Sequence, residues 1–242
     1  MMPDEDRVDA LLHEHYGEAA RRAAERTPAR ECCESVGAKV YDSSALDELP
    51  VEAVSASIGC ANPVAIADLS PGEDVLDLGS GGGIDVLLSA RRVAPTGTAY
   101  GLDMTDEMLD LARANQERAD ITNATFLSGH MEDIPLPADS VDVVLSNCVI
   151  NLSPHKDAVF AEASRVLRSG GRLAIADIAA DREPDAALRA DPKAWTDCIA
   201  GALTRQRYTE LLRASGFVEI ELTDSHVVQE GFWSVIVRAR KP

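Results

Sequence analysis

Three cysteines stand far apart along the chain in well-defined settings: Cys60 in SIGCANP, Cys148 in LSNCVINLS and Cys198 in DCIAGAL. Thiolates are soft ligands that suit Zn²⁺, Cu(I) and the heavier pnictogens. Structural zinc sites usually contain Cys-x₂-Cys pairs, which are absent here, so any joint site must be assembled by the fold. The alternative is that each cysteine is a small buried hydrophobic residue, as free cysteines often are.

A glycine-rich loop at residues 79–83 follows a predicted strand at 73–78 and has the character of a nucleotide-cofactor site. Glycine at the first, third and fifth positions lets the backbone turn tightly and approach a ligand. Asp103 ends the next predicted strand, where a carboxylate can accept hydrogen bonds from ribose hydroxyls. A dinucleotide site needs G-x-G-x-x-G, and that pattern fails because its last position is Ile84 or Val86. A glycine-rich turn without a ligand is the alternative.

Strands alternate with helices from residue 73 onward, which predicts an α/β fold with a doubly wound, seven-stranded, mostly parallel sheet. Strands are predicted at residues 73–78, 98–103, 124–127, 141–146, 172–177, 216–222 and 232–239. Helices are predicted at residues 4–26, 84–93, 105–118, 156–167 and 205–214, with a short one opened by Asn62-Pro63 and a helical insertion at 178–204. Such sheets bind ligands beyond the carboxyl ends of their strands, which places Gly79, Asp103, Gly129, Cys148 and Asp177 around one crevice.

Composition narrows the class of protein. The 242 residues carry a formal net charge of −18 and no compact Lys/Arg cluster, which argues against binding to nucleic acid or anionic membranes. No apolar run has the length of a membrane span, and the N-terminus lacks a signal-peptide core. Five cysteines, an odd number, argue against a disulfide framework. We expect a monomeric cytoplasmic protein with a helical, cysteine-bearing lid segment at 1–58 and one main domain at 59–242.

The G-x-G-x-G loop followed by Asp103 resembles the class I S-adenosylmethionine-dependent methyltransferases, which implies a Rossmann-like fold. From about residue 14 to 222 the chain is similar to the arsenite S-adenosylmethionine methyltransferases. That similarity is carried by HYG at 15–17, ECC at 31–33, SIGCANP at 57–63, LDLGSGGGIDV at 76–86, GLDMTDEML at 101–109, LSNCVINLSPHKD at 145–157 and DCIAGAL at 197–203.

The resemblance implies roles for all five cysteines. Cys60, Cys148 and Cys198 are expected to bind trivalent arsenic, whose lone pair then attacks the sulfonium methyl of the cofactor. Cys32 or Cys33, with Cys33 preferred, is expected to form a redox disulfide with Cys60. That disulfide returns the methylated arsenic to the trivalent state, and thioredoxin or glutathione restores the thiols.

The resemblance also implies which residues bind S-adenosylmethionine. Met131 would pack on the adenine ring, Glu132 would reach its amino group, and Asn147 would bind the amino-acid part. The full expected set is Gly79, Ser80, Gly81, Gly83, Asp103, Met104, Met131, Glu132 and Asn147. Two alternatives stay open: a methyltransferase for an organic small molecule with purely structural cysteines, and a non-catalytic arsenic-binding protein.

Overall fold

A computed structural model describes residues 5–25, 50–55 and 62–242. The strands are β1 (Val75–Leu78), β2 (Ala99–Asp103), β3 (Ala124–Ser128), β4 (Val141–Asn147), β5 (Leu167–Ala180), β6 (Leu203–Thr204), β7 (Val218–Gln229) and β8 (Phe232–Arg240). The helices of these residues are α1 (Glu5–Glu25), α2 (Val51–Ser55), α3 (Pro63–Ile66), α4 (Ile84–Val93), α5 (Asp106–Arg118), α6 (Lys156–Val166), α7 (Ala186–Ala190), α8 (Pro192–Thr196) and α9 (Arg205–Ala214), with a 3₁₀ turn at Ile150–Leu152.

The strands form one sheet in the order β3-β2-β1-β4-β5-β8-β7, and the short β6 pairs with β5. The first five strands run parallel, whereas β8 is antiparallel to both β5 and β7. This confirms the doubly wound, mostly parallel α/β fold. The two-residue strand β6 is an addition to the seven predicted strands and lies inside the predicted helical insertion.

Alternate side chains of the central strands enter separate cores on the two faces of the sheet. Val143 and Leu145 of β4 join a cluster with helices α4 and α5, while Val144 joins the cluster that contains Phe160 of α6. Successive side chains of a strand point to opposite faces, so a strand covered on both faces must be apolar throughout. This rigid sheet fixes the positions of the loops that follow its strands.

Helix α1 packs across the carboxyl end of the sheet. Its Val8 and Leu12 belong to a buried cluster with Cys148, Trp195 and Cys198. Toward its C-terminal end, α1 packs against α5 through Ala20 and Ala23, whose small side chains let the two helices approach closely. The sequence places this amphipathic helix correctly but does not reveal which surface it covers.

Several elements differ from the predictions. Strand β5 begins at Leu167 rather than at residue 172, because Gly170 and Gly171 exchange backbone hydrogen bonds with Lys241 instead of forming a free turn. Strand β7 extends to Gln229 through its pairing with β8. Helix α2 lies inside the predicted lid segment at 1–58, where no separate short helix was predicted. None of the helices in the described ranges combines the length and the apolar composition of a membrane span.

Candidate active site at the carboxyl ends of the strands

A cavity of about 430 Å³ opens where β1, β2 and β4 end. All of the predicted cofactor residues except Gly83 line it, and Cys148 and Cys198 line it as well. Gly83 instead begins helix α4 with a φ of 88°, where an added Cβ would lie 3.0 Å from Phe126 Cζ. Gly83 therefore allows close packing of the helix and the sheet, while the other residues form the wall.

The glycine loop presents bare backbone to this cavity. Gly79 has a φ of +68°, and a Cβ there would come within 2.4 Å of Val149 Cγ1. Gly81 has a φ of +50° and its N–H donates to Asp103 Oδ2 at 2.8 Å. Only glycine adopts such backbone angles freely, so the sequence of the loop follows from its shape.

Asp103 is the expected ribose-binding carboxylate, and it is held firmly in the cavity wall. Besides the bond from Gly81, its Oδ1 accepts a 2.9 Å hydrogen bond from the Thr105 N–H. Burial raises the pKa of Asp103 despite these two hydrogen bonds. The Thr105 side chain donates a third hydrogen bond to Asp103. A carboxylate has about four acceptor sites, so about one remains for a hydroxyl group of a ligand.

Two further carboxylates lie in the cavity that the sequence did not identify. Asp77 is fully buried in β1, and burial followed by the charges of Asp85 and Asp103 raises its pKa. Asp85 accepts a 3.2 Å hydrogen bond from Asn147 Nδ2, which fixes that amide at the end of β4. The resulting acidic wall complements a ligand that carries positive charge, as the sulfonium and amino groups of S-adenosylmethionine do. A bare glycine cradle beside such a wall fits this cofactor.

The expected adenine-binding residues, Met131 and Glu132, also line the cavity. Glu132 accepts a hydrogen bond from the Ser153 hydroxyl, so its side chain is oriented by the loop after β4. Met131 lines the cavity and at the same time packs against the main core. Its apolar surface is therefore available to a planar ring without leaving the protein interior.

Cys148 and Cys198 are brought together even though they are distant in sequence. The Cys198 thiol donates to the Cys148 carbonyl oxygen at 2.7 Å, and both residues are buried. Both also adopt left-handed backbone conformations, with φ values of 57° and 60°. Such conformations are rare for residues with a Cβ and cluster at functional sites.

The oxidation states of these two cysteines differ. Cys148 is disulfide-bonded, whereas Cys198 is a free thiol. Burial, followed by the charges of Asp177 and Asp197, raises the pKa of Cys198 well above its ordinary value. In the absence of a ligand that thiol therefore stays protonated at neutral pH.

Asn151 links the segment that follows Cys148 to the turn that carries Cys198 through hydrogen bonds. Its buried amide donates to the Ile178 carbonyl at 2.7 Å and to the Cys198 carbonyl at 3.2 Å. The backbones of Asn151 and Gly201 lie so close together that a Cβ added to Gly201 would be 1.9 Å from the carbonyl oxygen of Asn151. The turn that carries Cys198 is thus clamped against the segment that follows Cys148.

Two buried ionisable groups support this clamp. The Lys156 ammonium donates to the carbonyls of Ser153 at 2.7 Å and Asn151 at 3.3 Å, and burial lowers its pKa to about 8. Asp177 accepts hydrogen bonds from the Tyr208 hydroxyl and the Ile178 N–H, and burial raises its pKa to about 7. Asp177 was predicted to line the crevice, but it is fully buried and does not line the cavity, unlike Gly79, Asp103, Gly129 and Cys148. The sequence predicts no role for Lys156.

Helix α1 supplies a wall of the cavity through Val8, Asp9, Leu12 and Tyr16. Burial, followed by the charges of Cys198 and Asp103, raises the pKa of Tyr16 well above its ordinary value, so the phenol stays neutral. Tyr16 belongs to the HYG segment, which carried part of the family resemblance without being assigned to the site. The HYG segment is therefore the sequence feature from which the contribution of helix α1 to the cavity could have been predicted.

The remaining cysteines cannot be placed from these residues. Cys32, Cys33 and Cys60 lie outside the described residues. Within the described ranges, no group of three or more His, Cys, Asp and Glu side chains is suited to a metal ion. The pair of Cys148 and Cys198 is therefore the described part of the expected arsenic site.

The fold, the glycine loop and the acidic cavity define a class I methyltransferase, and a model of the methyltransferase domain family matches residues 69–216. The chain is 33% identical to the arsenic(III) S-adenosylmethionine methyltransferase of Chlamydomonas reinhardtii, over 82% of this chain and 72% of that one, with a TM-score of 0.69. The chain belongs to the arsenite S-adenosylmethionine methyltransferase family.

Two curated relatives are also named arsenite methyltransferase. The chain is 37% identical to that of Halobacterium salinarum and 35% identical to that of Aquipseudomonas alcaligenes, in each case over 90% of this chain. It spans 59% and 64% of their lengths.

Proposed function

We propose that this chain transfers a methyl group from S-adenosylmethionine to trivalent arsenic, either arsenite or methylarsenite. The observation that carries the proposal is the contact between Cys148 and Cys198 inside the cavity that also contains the glycine loop and Asp103. A soft-ligand pair beside a cofactor site suits a thiophilic substrate better than an organic nucleophile, which would need a base close to its acidic proton.

The protonated state of Cys198 suits arsenic capture. When arsenous acid exchanges a hydroxyl group for a cysteine sulfur, an As–S bond forms and an As–O bond breaks. The thiol proton leaves with the hydroxyl group as water, so no separate base is required. The raised pKa of Cys198 keeps that proton in place until arsenic arrives.

The proposed site has three sulfur ligands: Cys60, Cys148 and Cys198. Three As–S bonds leave the arsenic lone pair free to act as the nucleophile. S-adenosylmethionine, when bound, supplies an electrophilic methyl group on a positively charged sulfur. The chain contributes orientation, and well-oriented reactants can gain roughly 7–11 kcal/mol relative to free encounter in solution.

The residues of the chain that hold the cofactor act on different parts of it. Asp103 accepts a ribose hydroxyl hydrogen, and Met131 and Glu132 bind the adenine. Asp77 and Asp85, with Asn147, surround the ammonium group of the amino-acid part with acidic and amide groups. Helix α1 forms one wall of the cavity and so reduces the water around the reacting groups, which strengthens these electrostatic interactions.

Thiol oxidation completes the proposed cycle. Methylation formally oxidises arsenic by two electrons. A second cysteine returns them when its sulfur bonds to an arsenic-bound cysteine sulfur: the As–S bond breaks, its electron pair stays on arsenic, and the second cysteine releases the one thiol proton that remains. We assign this role to Cys60 with Cys32 or Cys33, and re-reduction to thioredoxin or glutathione. Cys148 is itself disulfide-bonded, so it must be reduced before it can bind arsenic.

The test is methyl transfer from labelled S-adenosylmethionine to arsenite in the presence of a dithiol, with the wild type and the variants C148S and C198S. We expect transfer by the wild type and its loss in both variants, with cofactor binding retained. The double variant C32S/C33S is the control, because it should still bind arsenite while failing in repeated turnover. A wild type that methylates organic acceptors but not arsenite would establish the first alternative. Arsenite binding without any methyl transfer would establish the second.

A further inference from the structure

A second cavity, of about 260 Å³, borders the turn that carries Cys198. Gly201 and Trp195, from the two flanks of that turn, contribute to its wall, and it shares only Pro154 with the first cavity. Lys156 also belongs to it, although this residue has no part in the methylation proposed above. The second cavity is therefore a separate feature that the proposed function does not explain.

The charged side chains that line this cavity are mainly positive, whereas the chain as a whole is acidic. Lys156, Arg189 and Arg207 line it, against the single carboxylate of Asp157, in a protein whose net charge is −18. Three cations around one small cavity repel one another. The glutamates that pair with the two arginines do not line the cavity, so an anion inside it would relieve that repulsion further.

The two arginines are not committed to strong internal partners. Arg189 pairs with Glu183 at 2.7 Å and Arg207 with Glu210 at 3.3 Å, and in both pairs the carboxylate is about half exposed. Exposed ion pairs of this kind contribute little to stability, so each guanidinium is free to turn toward a ligand. The buried Nε of Arg189 has no hydrogen-bond acceptor among the described residues.

Lys156 also has capacity left for an anion. Its ammonium donates to the carbonyls of Asn151 and Ser153, and an ammonium has three N–H donors, so one remains. Lys156 is also the first residue of α6, an end at which unpaired backbone N–H groups give a helix partial positive charge. Burial lowers the pKa of Lys156, the charge of Asp177 opposes that shift and the charge of Arg189 adds to it. An anion bound beside the ammonium would favour its protonated form.

We propose that this second cavity binds a small tetrahedral oxyanion of the phosphate class, held by Lys156, Arg189 and Arg207. Guanidinium and ammonium groups form short, charge-assisted hydrogen bonds with such oxygens. Arsenous acid is uncharged at neutral pH, so the site does not duplicate the arsenic site. Phosphate, sulfate and arsenate share the required chemistry, and titration with each of them separates these sources.

The position of Trp195 in the cavity wall provides a direct readout. In the W233F variant Trp195 is the remaining tryptophan, and its fluorescence is followed during titration with inorganic phosphate, sulfate or arsenate at constant ionic strength. We expect a saturable change with at least one of these anions and none with chloride. The measurement uses the chain without arsenite or cofactor, so its result is independent of the proposed methylation.

Variants of the two arginines make the experiment specific. R189M and R207M should each weaken binding about tenfold or more, because each removes charge-assisted hydrogen bonds. R213M is the matched control, since Arg213 lies exposed in the last turn of the same helix as Arg207 and does not line the cavity. No saturable change with any of the three oxyanions, an equal change with chloride, or an equal loss in R213M would overturn the proposal.

Discussion

Replacing Asn151 with leucine should weaken arsenite binding while leaving cofactor binding intact. Asn151 is buried, and its amide holds the carbonyls of Cys198 and Ile178 through the two hydrogen bonds described above. Leucine has a similar size and no hydrogen-bonding group, so N151L removes the clamp without opening a large space. The left-handed backbone of Cys198 would then relax toward an ordinary conformation and carry its sulfur away from Cys148.

The magnitude can be estimated from the contacts. Two buried carbonyls that lose their donors cost about 1–3 kcal/mol each, and removal of the unpartnered Oδ1 of Asn151 returns about 1–3 kcal/mol. The expected loss in the free energy of unfolding is thus about 2 kcal/mol, which leaves most domains folded. If the turn at Cys198 relaxes, it loses backbone strain worth about 1.4 kcal/mol. Arsenite binding must then restore the strained conformation, and this cost corresponds to about a tenfold loss of arsenite affinity.

A second buried asparagine provides the matched control. Asn115 donates to the carbonyl of Gly82 in the cofactor loop at 2.9 Å and is as deeply buried as Asn151. N115L should therefore weaken binding of S-adenosylhomocysteine and leave arsenite binding unchanged, the reverse of N151L. Calorimetric titration of each ligand into both variants, under reducing conditions, measures the four affinities. If N151L weakened the two ligands equally, its effect would be general destabilisation and the positioning argument would be refuted.

Three more outcomes are expected. Alkylation of Cys198 in the ligand-free protein, followed by mass spectrometry, should have a pH midpoint well above that of the unfolded chain, because burial keeps the thiol protonated; equal midpoints would contradict this. G79A should lose cofactor binding because its Cβ would lie 2.4 Å from Val149, and G79A with V149A should recover only part of it, since the φ of +68° still disfavours alanine. Full recovery in the double variant would show that the backbone angle is unimportant. Asp177 has a pKa raised from 3.8 to about 7 by burial, so the folded state binds its proton more tightly and the free energy of unfolding should fall as pH rises across that interval. Urea titrations should show a shallower fall in D177N, and an unchanged slope would contradict the assignment.

Much of the fold follows from local sequence patterns. Helices α4 and α9 begin and end at the predicted residues, because their apolar periodicity stands between clear turns. Strand β5 was predicted too short because Gly170 and Gly171 indicate a turn, while pairing with the end of β8 extends the strand through them. Strand boundaries depend on partners that are distant in sequence, and local patterns do not contain them.

The same limit applies to the site. The glycine loop and Asp103 were predictable because their spacing follows directly from strand, turn and helix. The family resemblance implied that Cys148 and Cys198 meet, but local sequence patterns did not, because the contact depends on the turn after α8 returning over the end of β4. Asp77 and Asp85 were missed because a carboxylate in a strand or a first helical turn looks solvated until burial is known. The roles of Cys32, Cys33 and Cys60 stay predictions.

The left-handed backbone at Cys148 and Cys198 has an evolutionary consequence. A residue with a Cβ in that conformation costs about 1–2 kcal/mol relative to its ordinary backbone, and glycine, with asparagine to a lesser degree, avoids that cost. Selection for stability alone therefore favours replacing both cysteines, and selection for their sulfur chemistry opposes it. In a lineage no longer exposed to thiophilic substrates, drift toward glycine or asparagine at these two positions should be among the first changes in the chain.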